Sequence, residues 1–173
     1  MASIQQLTGM RGVYLVAAEL WRLGFIASPT SRSAIGADIL VTDQSCRNTF
    51  SVQVKTNART FNFCLLTKKA KEQVSNNYIY VLVNLRHNKS GEMIEYFIVP
   101  SRVISEKMVY SKNKNSEWYA INLRDAEKYR DDWSVFGKSW ITANFQDSGY
   151  NINGSSKCVI ILIGIPIRQK QIE

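Results

Sequence analysis

Two short segments of the chain carry side chains whose types and spacing suit metal and phosphate binding. Asp38 lies within the apolar run 35–41, and Gln53 and Lys55 lie two residues apart in the run 51–56. Alternate residues of a β-strand project to the same face, so Gln53 and Lys55 project together while the neighbouring valines face a core. We expect Asp38 to end its own strand beside them. A carboxylate, an amide oxygen and an ammonium group that converge at one sheet edge can hold a divalent metal ion and a phosphate group.

The segment before these strands has the pattern of an amphipathic helix. Ser3 and Gln6 have the spacing of a capping box, in which each side chain accepts a hydrogen bond from the other residue's backbone. Apolar residues then recur at helical spacing over residues 7–21. Gly24 stands where the end of a helix favours a left-handed residue. We therefore predict a helix over residues 4–23.

Apolar runs bounded by polar turns predict the strands of the chain. The predicted strands lie at residues 25–28, 37–42, 50–56, 78–85, 94–99, 118–121 and 158–163. A Lys-rich segment, residues 65–76, predicts a second long helix, and shorter helices are predicted at 101–109 and 123–129. The break at residues 87–91 predicts a hairpin.

This order of elements indicates an α/β fold with a mixed sheet. The 173 residues are enough for one domain with a substantial core, and neither an internal repeat nor a low-complexity linker divides them. We predict a single domain whose core spans about residues 4–100. The extension over residues 101–173 has no assigned role.

Positive charge is concentrated in the first part of the chain. The net charge is +8, from 22 basic and 14 acidic residues. Residues 44–71 contain six cations and no acid. A one-sided positive field attracts polyanions such as DNA or RNA, although a solvated basic face chosen for solubility has the same composition.

Other features of the composition exclude several classes of protein. The longest apolar run, residues 158–163, is far shorter than the roughly 20 residues of a membrane span. No secretory signal is visible at the N-terminus. The three cysteines, Cys46, Cys64 and Cys158, have no metal-ligand spacing, are odd in number and are expected to pack rather than react. These features predict a cytoplasmic protein with no membrane contact.

Several of these motifs together resemble the PD-(D/E)XK nuclease superfamily. They are the helix that ends in Gly24 and Phe25, the acid at Asp38 after Gly36, and the Gln-Val-Lys run. The resemblance covers about residues 8–100 and is closest to the Mrr-like and archaeal Holliday-junction-resolvase branch, in which Gln replaces the usual acid in Mrr-like members. It implies a restriction-endonuclease-like α-β-β-β-α-β core, with a mixed sheet flanked by helices.

The resemblance also implies a role for each site residue. Asp38 would be the main metal ligand, Gln53 would contribute its side-chain oxygen, and the Val54 carbonyl would be a third ligand. Lys55 would orient the attacking water or stabilise charge on the phosphate. Oxygen ligands of this kind favour Mg²⁺ or Mn²⁺. The implied substrate is duplex or branched DNA, and a homodimer is expected because nucleases that cut both strands usually pair two sites.

The sequence departs from this branch in its first helix. The branch places a Glu twelve residues before the Phe of the Gly-Phe pair, and counting back from Phe25 reaches Val13. Glu19 is the only acid of the predicted helix. Either Glu19 reaches the site as an additional acid, or the enzyme uses a reduced ligand set, or cleavage is lost. Glu19 also has the spacing to pair with Arg22 as a solvated helix residue.

Further residues have the chemistry for nucleic-acid contact. The candidates for backbone contact are Arg32, Ser33, Arg59, Lys68, Lys69 and Lys71. The alternative for each is an ordinary polar loop or a solvated helix face. Trp118, Trp133 and Trp140 can stack on bases or belong to the core. The single histidine, His87, is expected to be exposed and inert.

Three functions follow from these patterns. The first is a metal-dependent DNA endonuclease of the restriction or resolvase type that hydrolyses phosphodiester bonds. The second is a nucleic-acid-binding protein that has the same fold but no cleavage activity, and Val13 is its main support. The third is an interaction protein in which the fold serves only as a scaffold.

Overall fold

A computed structural model of the chain describes residues 2–31, 36–59, 61–88, 91–113 and 116–137. Several sequence-based predictions lie outside these residues: those for Arg32, Ser33, Trp140, Cys158 and the strand at 158–163. The prediction for the side chain of His87 also lies outside the described part.

The described residues form four helices, eight strands and two 3₁₀ turns. The helices are α1 (Ile4–Arg22), α2 (Lys69–Glu72), α3 (Ser101–Lys107) and α4 (Leu123–Ala126). The strands are β1 (Ile26–Pro29), β2 (Ile39–Thr42), β3 (Thr49–Asn57), β4 (Phe63–Leu66), β5 (Tyr78–Asn88), β6 (Gly91–Pro100), β7 (Val109–Asn113) and β8 (Ser116–Asn122). The 3₁₀ turns span Glu127–Tyr129 and Trp133–Phe136.

The strands form a large mixed sheet and a small antiparallel sheet. The large sheet has the order β1-β2-β3-β5-β6, in which β3 and β5 are parallel and the other neighbours are antiparallel. The small sheet has the order β4-β8-β7. Helix α1 packs on one face of the large sheet, and the small sheet with α2 and α3 covers part of the other face. The predicted α/β class with a mixed sheet is confirmed.

Helix α1 is held in the way its sequence predicts. Ser3 and Gln6 form both hydrogen bonds of the capping box. Val13, which stands where the resembled branch has a Glu, is buried in the core. Gly24 ends the helix region with φ 87°, the left-handed conformation that glycine adopts without steric cost. Among the described residues, no helix is long and apolar enough to cross a membrane.

The predicted long helix over residues 65–76 is wrong. Its first residues belong to β4, in which Cys64 and Leu66 are buried while Leu65 between them is exposed. This alternation is the period of a strand, and β4 satisfies its backbone by pairing with β8, from Leu66 opposite Tyr119. Only the four residues of α2 remain helical. Strand β7 was not predicted.

The contact between α1 and β3 generates a stability prediction. An alanine Cβ at Gly12 would lie 1.8 Å from Thr56 Oγ1 and 3.0 Å from Thr56 Cβ, so helix and strand would have to separate. We expect Gly12→Ala to lower the free energy of unfolding by about 1–3 kcal/mol, as overpacking of a core does. Urea denaturation measures this change.

Gly9 provides the matched control within the same helix. Nothing lies within 4 Å of a Cβ at Gly9, so Gly9→Ala adds only helix propensity and should raise the free energy of unfolding by up to about 1 kcal/mol. Equal effects of the two substitutions would contradict the close packing of α1 on β3.

Candidate functional site

Asp38 lies where the pairing of β2 with β3 ends. Its backbone N–H donates to the Val52 carbonyl at 2.8 Å, directly before the first residue of β2. Asp38 therefore begins its strand, whereas the sequence analysis placed it at the strand's end. Because β2 and β3 are antiparallel, the register that pairs Ile39 with Val52 sets Asp38 opposite Gln53. The predicted proximity of Asp38 and Gln53 is thus produced by the sheet register.

On the N-terminal side of Asp38, β2 no longer pairs with β3. The Asp38 carboxylate takes the place of the missing strand by accepting from the backbone of β3. One oxygen, Oδ2, accepts hydrogen bonds from the Val54 backbone N–H at 2.8 Å and from the Gln53 side-chain amide. The N–H and C=O of one strand residue point to the same side, so the Val54 carbonyl also points toward the side where β2 has ended. Three oxygen-bearing groups therefore meet here: the Asp38 carboxylate, the Gln53 amide and the Val54 carbonyl.

Asp38 fixes the orientation of the Gln53 amide, because a carboxylate oxygen can only accept and therefore faces the NH₂ group. The Tyr78 hydroxyl donates to the Gly36 carbonyl and lies 3.4 Å from Gln53 Oε1. Burial raises the pKa of Tyr78 above its usual value. Gln53 consequently presents its NH₂ group to Asp38 and its oxygen toward Tyr78. A metal ion shared by Asp38 and Gln53 requires this amide to turn over.

Lys55 follows Gln53 on the same face of β3 and opens onto a cavity of about 290 Å³. The cavity is lined by Gly36, Gln53, Lys55, Thr67, Lys69, Gln73 and Tyr80. Two of these residues are lysines and none is acidic, which makes the cavity suitable for an anion. Asp38 does not line the cavity itself and reaches it through its hydrogen bond with Gln53.

The expected second acid is not beside Asp38. Glu19 pairs with Arg22 at 2.7 Å, which confirms the pairing expected from their spacing. The carboxylate of Glu19 also lies near Tyr96 on β6. The pKa of the Tyr96 hydroxyl is raised to about 12, mainly by burial and in part by the negative charge of Glu19. In the part of the chain that the structure describes, no three His, Cys, Asp or Glu side chains are grouped closely enough to hold a metal ion.

The cationic candidates differ in their surroundings. Lys69 lines the cavity beside Lys55, whereas Lys71 donates to the Ser105 carbonyl at 2.8 Å. Lys68 and Arg59 are exposed. All three lysines lie on or next to the short helix α2 and not on the longer helix expected from the sequence.

The tryptophan and cysteine candidates also separate by environment. Trp133 packs against Tyr96 with ring centroids 5.4 Å apart, as a core residue does, whereas Trp118 is 41% exposed. Cys64 is buried, and burial raises its pKa to about 12, which keeps the thiol protonated and unreactive. Cys46 is exposed.

Sequence reasoning missed two tyrosines that shape the site. Tyr78 contacts Gln53, and Tyr80 lines the cavity. Both lie on β5, two residues apart and alternating with buried Ile79 and Val81. The same period of two that identified Gln53 and Lys55 was therefore visible in β5. What the sequence did not contain was the parallel register that sets Tyr80 beside Gln53.

Comparison with known proteins finds only distant structural similarity. No protein-family model and no curated protein matches the sequence. A Holliday junction resolvase from Archaeoglobus fulgidus, an archaeal hyperthermophile, has a TM-score of 0.49 at 16% identity, over 75% of this chain and 96% of that chain. A bacterial homing endonuclease has a TM-score of 0.47 at 14% identity, over 83% and 99%. Likenesses of this degree carry no argument about function, which rests on the site.

The bond between Asp38 and Val54 generates a prediction about stability. Asp38→Ala removes the acceptor of the Val54 N–H, which lies where the pairing of β2 with β3 ends. We expect this substitution to lower the free energy of unfolding by about 1–3 kcal/mol in a denaturant titration.

Asp38→Asn is the matched comparison, because an asparagine oxygen can still accept from Val54. It should cost clearly less than Asp38→Ala. Equal losses would mean that the Val54 bond is not what Asp38 contributes to stability.

Proposed function

We propose that this protein is a metal-dependent DNA endonuclease that hydrolyses phosphodiester bonds. The observation that carries the proposal is the arrangement at the start of β2. The carboxylate of Asp38 and the amide of Gln53 are held together there, and Lys55 follows on the same face, beside a cavity with a second lysine. Carboxylate, amide and ammonium groups in this order are what the sequence resemblance implies for a nuclease site.

The oxygens around Asp38 fit a small divalent ion that is bound mainly through substrate. Mg²⁺ commonly takes one or two carboxylates, keeps several waters and completes its shell with phosphate oxygens. Asp38 would supply the carboxylate, and Gln53 and the Val54 carbonyl would supply neutral oxygens. When bound, such an ion polarises the phosphate and lowers the pKa of a bound water. Tyr78 would release the Gln53 oxygen as the amide turns toward the ion.

The two lysines of the cavity act on the phosphate. Lys55 lies two residues beyond Gln53, so its ammonium group would stabilise the negative charge that builds up during hydrolysis and orient the attacking water. Lys69 faces the same cavity from α2 and would hold a neighbouring phosphate of the DNA backbone. Cutting both strands of a duplex would require two such sites, and we propose a homodimer for that reason.

A second candidate is a DNA-binding protein that does not cleave. It is favoured by the hydrogen bonds of Asp38, since a carboxylate that bonds to Val54 and Gln53 already has a structural role. The burial of Val13 in the core favours it as well, because no acid can enter from that position of α1. In this case the lysines of the cavity would bind phosphate and Asp38 would only maintain the strand end.

A cleavage assay separates the two candidates. With supercoiled plasmid and Mg²⁺ or Mn²⁺, the wild-type protein should nick or linearise the DNA, and a chelator should abolish the reaction. Lys55→Ala and Asp38→Asn should each lower the rate by at least about 100-fold, because the first removes a cation that stabilises charge at the phosphate and the second removes the carboxylate charge that would hold the metal ion. Lys112→Ala, on the small sheet, is the control and should leave the rate unchanged.

Cleavage that survives in Asp38→Asn at the wild-type rate would contradict the proposed active site. Wild-type DNA binding without cleavage under any of these conditions would favour the binding protein.

Lys69 and Lys71 allow a test of the phosphate contact. Lys69→Ala should weaken binding of duplex DNA and lower the slope of log affinity against log salt by about one unit, as the loss of one phosphate contact does. Lys71→Ala should change the slope less, because Lys71 already bonds to Ser105. Fluorescence anisotropy at several salt concentrations measures both slopes. A larger effect of Lys71→Ala would place the DNA elsewhere on the protein.

A further inference from the structure

A second cavity, of about 400 Å³, opens at the far end of β5 and β6. Its lining includes three arginines, two asparagines and an aromatic ring, which are Arg86, Arg124, Arg130, Asn62, Asn122 and Phe97. None of these residues belongs to the Asp38 site. One acid, Glu127, also lines the cavity, so the lining combines three cations with one carboxylate and neutral hydrogen-bonding groups. The excess of positive charge suits an anion that also carries polar edges.

Two of the three arginines are held by carboxylates. Glu95 is buried and bonds to Arg86 and Arg130, and it accepts a further hydrogen bond from Asn84 at 3.1 Å. Burial by itself would raise the pKa of Glu95, but these hydrogen bonds outweigh it and hold the pKa below the ordinary 4.5. The carboxylate is therefore charged at neutral pH. Glu127 pairs with Arg130 from the rim at 2.8 Å.

Arg124 is the cation that these carboxylates leave available. Within the described residues its guanidinium group makes no hydrogen bond or ion pair, while its backbone N–H is fixed by Asn122 at 3.1 Å. Three guanidinium groups face two carboxylates, so the cavity has a net charge of +1. Because Arg86 and Arg130 are neutralised in place, an incoming anion would meet Arg124.

Two exposed aromatic rings lie outside the lining of this cavity, on the residues next to Asn62 in the chain. Phe61 and Phe63 flank Asn62, are each 43% exposed, and have ring centroids 5.6 Å apart. Their backbone is fixed, because Leu123 donates to the Asn62 carbonyl at 2.8 Å and Asn84 bonds to the backbone of Phe61. The two rings are tilted by 46° to each other, so each presents its own apolar face to solvent, and the fixed backbone lowers the cost in conformational entropy of binding there.

We infer that this cavity binds one unpaired nucleotide of a DNA strand. The base stacks on Phe61 and Phe63, the amides of Asn62 and Asn122 bond to its edge, and Arg124 binds its phosphate. Stacking on aromatic side chains combined with a cationic group is the usual way in which proteins hold single-stranded nucleic acid, because every base has a flat face. A base within a duplex cannot present that face, because its neighbours stack on it, and its pairing edge is already bonded to its partner.

The position of the cavity relates it to the Asp38 site, and this step depends on the proposed function. Tyr80 lines the cavity near Asp38, and Arg86, six residues later on the same face of β5, lines the second cavity. Six residues of a strand span about 20 Å, which corresponds to about six nucleotides of one DNA strand. A single strand of this length can therefore reach from one site to the other, so the preferred DNA would contain unpaired nucleotides near the cleaved bond.

The test compares single-stranded and duplex DNA as probes. Fluorescence anisotropy would measure binding of a labelled oligothymidylate and of a duplex of the same length to the full chain. Arg124→Ala and Phe63→Ala should each weaken binding of the oligothymidylate by about 10-fold or more, and should change duplex binding far less. Thermal melting of both variants confirms that they are folded, as exposed substitutions should be.

Two controls are matched in exposure and in the kind of group removed. Arg102→Ala removes an exposed arginine of α3 and so makes the same change in net charge. Tyr14→Ala removes an exposed ring from α1, which packs on the other face of the large sheet. Both controls should retain wild-type affinity for the oligothymidylate.

The outcomes separate this inference from the proposed function. If the wild type does not bind the oligothymidylate, or if the controls weaken it as much as Arg124→Ala and Phe63→Ala do, the inference is overturned, whether or not plasmid is cleaved. If those two variants lose single-strand binding while the wild type cleaves no DNA, the nucleotide cavity stands and the endonuclease does not. An aromatic surface that served only for protein contact would give the first result.

Discussion

Both cavities depend on one constraint, the parallel pairing of β3 with β5. Parallel strands cannot be joined by a tight turn, so the chain must leave the sheet and cross over one face before it returns. Here that crossover contains β4 and α2, which bring Asn62, Thr67 and Lys69 over the face that carries Gln53 and Lys55. The small sheet then forms when β8 pairs with the β4 segment of the crossover. The two cavities lie where the crossover passes each end of this face. Both therefore result from the crossover connection between β3 and β5.

Asp38 illustrates how structural and chemical roles compete within one side chain. A strand that ends early leaves backbone N–H groups of its neighbour without partners, and a carboxylate is a strong acceptor for one of them. The bond to Val54 meets that need and also fixes the carboxylate at the sheet edge. Among the described residues, the hydrogen bonds of this carboxylate go to Oδ2, so the other oxygen is left for a ligand. A stabilising role for Asp38 is therefore compatible with a catalytic one. An asparagine at this position could still accept from the Val54 N–H, but it would lack the negative charge that metal binding requires.

The sequence predicted those elements whose evidence is local. Helix α1 was predicted closely because its capping box, apolar spacing and Gly24 lie within one segment, and strands β2, β3, β5 and β6 were predicted from their own apolar runs. The segment at residues 65–76 failed because its lysines favour a helix, whereas the decisive partner of β4 lies more than fifty residues later, in β8. The alternation of β3 placed Gln53 and Lys55 on one face. The orientation of the Gln53 amide was out of reach, since it depends on the hydrogen bond to Asp38 that the register of β2 and β3 sets.

The distribution of charge along the shared face explains why cations can gather there without mutual repulsion. Near the Asp38 site, Lys55 and Lys69 face an open cavity in which solvent screens them. At the far end, three arginines line one cavity, where unpaired guanidinium groups would repel one another. The buried carboxylate of Glu95 resolves this by taking two of them, which also holds Arg130 over the Phe97 ring at 4.8 Å. The ion pairs thus make the cavity rigid and leave Arg124 as the group that selects an anion. On this face, the arginines in ion pairs therefore stabilise the structure, and only the cations outside ion pairs can contribute to recognition.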